Sequence, residues 1–124
     1  MKASWDLNEQ PVIGVVSQPI DDSFPDDPRF EGYSTYIMAA YVDFLQGSGA
    51  RVVPLILGED WDVTLDKINR LDGILFPGGD GDYIEFGRSM YKEVKSMNDQ
   101  GHFYPLWGIC LGFENMAIWA SDEG

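Results

Sequence analysis

Tyr104-Pro105-Leu106-Trp107-Gly108-Ile109-Cys110-Leu111-Gly112-Phe113-Glu114 is the stretch that decides the fold. Tyr104 to Ile109 reads as a short apolar strand. Leu111 to Ala120 reads as a helix, with Phe113, Met116, Ala117 and Trp119 or Ala120 available for burial. A single cysteine stands between them, with glycines two positions before and two after. Small residues on either side let backbones approach through a tight, strained turn that throws the side chain clear. The helix amino terminus would then stabilise a thiolate, and the Leu111 amide would face a developing oxyanion. The same spacing also suits a cysteine buried for structural reasons, since free cysteine is often fully buried.

Working back from this unit, the same alternation recurs. Val12-Ile13-Gly14-Val15-Val16 is branched and apolar without alternation, as in a parallel strand buried on both faces. Residues 17–32, rich in Pro and Asp, read as a loop at the carboxyl end of that strand, where open α/β sheets place their sites. An acidic surface excursion is the other reading. From Tyr33 the period becomes three to four. Tyr33, Tyr36, Ile37, Ala40, Tyr41, Phe44 and Leu45 predict a helix started by Gly32 or Ser34 and stopped at Gly47-Ser48-Gly49.

Val52-Val53-Pro54-Leu55-Ile56 predicts a second strand. Pro54 places it at an edge or an irregular end, because proline has no ladder donor. Residues 58–63 read as a turn. Leu65, Ile68 and Leu71 mark a short helix leading into the strand Gly73-Ile74-Leu75-Phe76. Pro77-Gly78-Gly79-Asp80-Gly81-Asp82 breaks that run, and Phe86, Met90, Val94 and Met97 mark a helix over 84–99. The β-α-β-α-β-α-β-α order predicts an α/β fold with a mostly parallel sheet.

The 124 residues carry 8 Lys and Arg against 21 Asp and Glu, a net charge of -13, which argues against a nucleic-acid groove. No apolar run approaches the roughly 18 residues that would span a bilayer. The start, Met1-Lys2-Ala3-Ser4-Trp5-Asp6, has no apolar signal core. One cysteine excludes an internal disulfide framework and a multi-cysteine metal site. The partners expected are small molecules or protein.

Pro77-Gly78-Gly79 would expose amides at the same sheet end as Cys110, with Gly79 the best candidate to complete an oxyanion hole with Leu111. A cysteine nucleophile needs a base, normally histidine. The one histidine, His102, precedes the fourth strand while Cys110 follows it. About five residues at about 3.3 Å each separate them by roughly 16 Å. Glu114 lies one helical turn beyond Cys110 and faces either the pocket or solvent. Asp80 and Asp82 suit a cationic group or a solvated loop. Arg88 suits a substrate carboxylate or a surface salt bridge. Tyr33 and Tyr36 lie nearest the loop end of their stripe.

This constellation resembles the gamma-glutamyl hydrolase family, within the class I glutamine amidotransferase-like superfamily. The matching pieces are Pro11 to Val15, Tyr36 to Leu45, Gly49 to Pro54, Asp72 to Gly79 and Tyr104 to Glu114, in the family's order and spacing. The resemblance runs through nearly all 124 residues. It implies a three-layer αβα, flavodoxin-like fold, of which residues 1–124 are the amino-terminal part. It implies Cys110 as catalytic nucleophile, amides of Gly79 and Leu111 as the oxyanion hole, and Glu114, Tyr36 and Gly78 in substrate binding. It further implies hydrolysis of gamma-linked glutamyl tails of folate polyglutamates without cofactor or metal, a tendency to dimerise, and a lysosomal, vacuolar or secreted location.

The family's catalytic histidine and its glutamate partner fall later in the chain, outside these residues. The expectation is therefore an amino-terminal fragment, a cleaved half with its partner chain, or a truncated homologue serving as a structural subunit in a larger assembly. A glutamine amidotransferase-like enzyme would keep the same elbow and is the competing enzymatic reading.

Overall fold

In the computed structural model, residues 7–22 and 24–122 are described. The chain runs β1 (Val12–Val16), β2 (Gln18–Pro19), a 3-10 turn at Pro28–Phe30, β3 (Thr35–Tyr36), α1 (Ala39–Gly47), β4 (Arg51–Leu55) and α2 (Trp61–Arg70). It continues through β5 (Gly73–Phe76), α3 (Ile84–Asp99), β6 (Leu106–Gly108) and α4 (Leu111–Asp122). The opening segment read above for a signal core, residues 1–6, lies outside the described residues.

β1, β4, β5 and β6 form one parallel sheet in the order β4-β1-β5-β6. Side chains of a strand alternate between faces, and both faces here are apolar. Val16, Ile74 and Phe76 join the larger core cluster with Leu55, Ile68, Met90, Val94 and Trp119. Val15 and Leu75 face the other way, onto Leu45. The larger cluster is closed by α2, α3 and α4, and the smaller by α1. Helices on both faces explain why β1 and β5 lack polar alternation. This is the α/β architecture expected, with a four-stranded parallel sheet flanked by helices.

Pro54 stands in β4, an edge strand, as expected. β6 is the other edge, and Trp107 on it is 57% exposed. An open apolar pocket of about 120 Å³ lies beside it, lined by Ile13, Leu45, Leu75, Leu106 and Trp107.

Three local readings are corrected. The first helix starts at Ala39, not near Tyr33. The preceding residues are claimed by pairing: Gln18 pairs with Tyr36 and Pro19 with Thr35 in an antiparallel ribbon. The Tyr36 ring packs on Phe24, 4.3 Å between centroids, so part of the aromatic stripe serves the loop rather than the helix. Residues 17–32 accordingly hold β2 and the 3-10 turn. The second helix starts at Trp61, because Asp60 caps it, its side chain accepting from the Asp62 amide at 3.2 Å.

In α4 the buried face is Gly112, Asn115 and Trp119, and Phe113 is 66% exposed. Trp119 is 1% exposed and packs edge-on against Phe76, 5.0 Å between centroids. Its indole N–H has no acceptor among the described residues. Trp119→Ala is expected to cost about 3–5 kcal/mol in urea unfolding. Trp119→Phe should cost clearly less, since it also removes the unpaired donor.

Candidate active site

In a parallel sheet all strands end on the same side. The order β4-β1-β5-β6 reverses direction between β1 and β5, which opens a crevice at their carboxyl ends. Three segments leave there: Ser17-Gln18 after β1, Pro77 to Asp82 after β5, and Ile109-Cys110 after β6.

The Cys110 backbone has φ 52°, the one positive φ at a non-glycine among the described residues. A left-handed residue costs about 1–2 kcal/mol, so the surroundings must enforce it. The Ile109 amide donates to Phe76 O at 3.1 Å, the Gly112 amide to Ile109 O at 2.9 Å and the Glu114 amide to Cys110 O at 3.0 Å. A Cβ on Gly112 would sit 2.1 Å from the Phe76 carbonyl oxygen, and one on Gly108 2.7 Å from the Gly112 backbone. Both flanking glycines are therefore required by close backbone approach. The side chain of Cys110 is exposed, which overturns the buried-cysteine alternative.

The loop after β5 abuts this elbow. Gly78 is buried, and a Cβ there would lie 2.9 Å from Cys110 Cβ. Its amide donates to Tyr41 Oη at 2.9 Å, and its carbonyl accepts from Gln18 Nε2 at 2.6 Å. Both polar groups of Gly78 are thus engaged inside the chain. Gly79 has φ +140°, and Gln18 Oε1 occupies the place of its missing side chain, 2.3 Å from an ideal Cβ. The Tyr83 hydroxyl donates to Pro77 O at 2.6 Å, and burial pushes its pKa up. Among the described residues, the Gly79 and Leu111 amides donate to nothing. Two unengaged amides beside an exposed thiol at a helix amino terminus can stabilise charge on a carbonyl oxygen under attack.

Other sequence candidates fall around this centre. Tyr36 is half-buried; burial first, then the charges of Asp21 and Asp80, raise its hydroxyl pKa. Glu114 is exposed on the first turn of α4. An open groove of about 330 Å³ runs past Leu111, lined by Asp80, Asp82, Tyr83 and Asn115. Asp82 also accepts from the Ile84 amide at 3.1 Å. Arg88 is taken up by Asp122 and Glu85 in a surface ion-pair network. Tyr33 is 71% exposed. His102 is exposed before β6, at the strand end away from Cys110. Among the described residues no group of three or more His, Cys, Asp or Glu is placed to hold a metal, and no helix is long and apolar enough to cross a membrane.

Sequence reasoning missed Gln18 and the role of Tyr41. Gln18 carried one usable signal: it follows β1 at the carboxyl end. Tyr41 carried none, because it fits the apolar stripe of α1.

The peptidase C26 family model matches residues 11–121. The chain is 40% identical over 120 residues to gamma-glutamyl hydrolase 1 of Arabidopsis thaliana, covering 94% of this chain and 34% of that protein. It is 35% identical over 116 residues to gamma-glutamyl hydrolase B of Dictyostelium discoideum, covering 89% and 32%. It is 35% identical over 127 residues to human gamma-glutamyl hydrolase, covering 95% and 37%. The chain spans about a third of the length of these curated relatives.

Proposed function

This chain belongs to the peptidase C26 family, the gamma-glutamyl hydrolases, and from that premise we propose that Cys110 is the nucleophile of a gamma-glutamyl hydrolase acting on folate polyglutamates. The observation that carries the reading is the left-handed, exposed Cys110 at the start of α4, packed against Gly78 of the loop after β5. The thiolate attacks the gamma-carbonyl, and the Gly79 and Leu111 amides hold the resulting oxyanion. Collapse expels the amine of the leaving glutamate and leaves a thioester on Cys110. Water then hydrolyses the thioester. Glu114, Tyr36 and Gly78 are assigned to substrate binding on the family resemblance.

Both half-reactions need a proton carrier. His102 does not reach the thiol, so the carrier is assigned to polypeptide other than these residues, a further segment or a partner chain. The absence of a histidine beside Cys110 among the described residues favours one second reading, a non-catalytic homologue serving as a structural subunit. The family resemblance assigns the protein to a lysosomal, vacuolar or secreted compartment.

Hydrolysis of pteroylpolyglutamate and of glutamine is compared, with mass analysis of Cys110 after a cysteine-directed glutamyl electrophile. Preference for the polyglutamate with stoichiometric labelling is the expected result. Preference for glutamine would favour the amidotransferase-like reading. No labelling of folded protein would leave only the structural one.

A further inference from the structure

We propose that Gln18 is a positioning residue that sets the direction of the Gly79 N–H by holding the carbonyl of the same peptide unit. The geometry stands by itself; its use in catalysis rests on the hydrolase reading above. Gln18 is 1% exposed, immediately after the buried strand β1. Its Nε2 donates to Gly78 O at 2.6 Å, and its Oε1 accepts from the Gly81 amide at a long 3.4 Å. The Gly78 carbonyl and the Gly79 N–H share one peptide plane. That peptide is trans, as no cis bond occurs among the described residues, so the two groups point in opposite directions. Drawing the carbonyl inward onto Gln18 therefore turns the Gly79 N–H outward.

Glycine on both sides of this peptide offers little steric resistance to a flip. The preceding peptide is pinned separately, by the Gly78 amide on Tyr41 Oη at 2.9 Å. Rotation is then confined to the unit that Gln18 holds. A flip would exchange a donor for a carbonyl oxygen at the place where negative charge develops, which inverts its electrostatic effect.

The test uses the full chain with Gln18→Met, which deletes donor and acceptor, and Gln18→Glu, which keeps the acceptor for Gly81 but cannot donate when ionised. The probe is a gamma-glutamyl aldehyde. The thiol adds to its carbonyl carbon, and the thiol proton ends on the former carbonyl oxygen, which occupies the oxyanion position. Iodoacetamide, which alkylates Cys110 with loss of iodide and needs no oxyanion donor, is the control.

Aldehyde affinity is expected to fall on the order of 10²-fold in both variants, with iodoacetamide reactivity unchanged and the Gly79 amide resonance displaced. In turnover, kcat falls while KM holds. Folded variants that bind the aldehyde like wild type, with the Gly79 resonance unmoved, would overturn the proposal. Wild type that binds the aldehyde no better than Cys110→Ala would instead defeat the hydrolase reading. The Gly79 resonance then decides the positioning claim alone: displaced upholds it, unmoved ends it. If Gln18→Met does not fold, Gln18→Glu carries the same comparison.

Discussion

Cys110→Ala is expected to lower gamma-glutamyl turnover by at least about 10⁴-fold and to leave unfolding free energy within about 0.5 kcal/mol of wild type. The thiol is exposed, so its removal empties no core space. Alanine also keeps the strain, since it too disfavours φ 52°. Cys110→Gly separates the two properties. It is equally inactive, but glycine adopts this φ freely, and the relief should raise stability by about 1 kcal/mol. Steady-state assays and urea unfolding of the three proteins check both halves. Full turnover in the alanine variant would remove Cys110 from the mechanism. A glycine variant no more stable than wild type would show the elbow to be unstrained.

Among the described glycines, Gly112→Ala should be the most damaging added methyl group. The added carbon would lie 2.1 Å from Phe76 O and 2.6 Å from Phe76 C. These are backbone atoms of a fully buried strand, not the end of a side chain that can swing away. Either α4 moves off β5 or β5 leaves its register with β6, where Phe76 pairs with Gly108. Overpacking of well-packed cores costs about 1–3 kcal/mol and sometimes more, and a rigid clash of this kind belongs at or above the top of that range. Denaturant unfolding measures it. A variant with the wild-type midpoint would mean that the helix does not approach the strand this closely. The substitution should also slow Cys110 chemistry, because the Leu111 amide moves with the helix.

The parts of this molecule that were legible in the sequence are those fixed by local pattern. β1 and β5 announced themselves because strands covered on both faces need no polar residues. Pro54 marked an edge because it cannot donate to a ladder. The glycines at 108 and 112 marked the elbow because only they allow the approach. What stayed hidden depended on partners distant in sequence. Tyr33 and Tyr36 fit a helical stripe until β2 claims Tyr36 by pairing. Phe113 was as good an apolar candidate as Trp119, and only the position of Phe76 decides which is buried. Gln18 looked like one polar residue among many in an acidic loop. Its importance lies in the Gly78 carbonyl, and no spacing rule connects the two.

The contacts that shape the loop after β5 reach far along the chain. Gln18 is 60 positions from Gly78, and Tyr41 is 37. Closing loops of this length costs entropy before the contacts return anything. The elbow combines both kinds of contact: the Gly112 amide on Ile109 O and the Glu114 amide on Cys110 O are local, while the Ile109 amide reaches Phe76 O, 33 positions away. A chain in which α4 has formed without the sheet would therefore have the cysteine and the Leu111 amide at a helix start, but neither the tie to Phe76 nor the Gly79 peptide held by Gln18. Competence arrives only when β1 and β5 join, and it departs when they separate. Selectivity for a carbonyl under attack is in that sense a gauge of sheet assembly, and a partly folded chain would carry the sulfur without it.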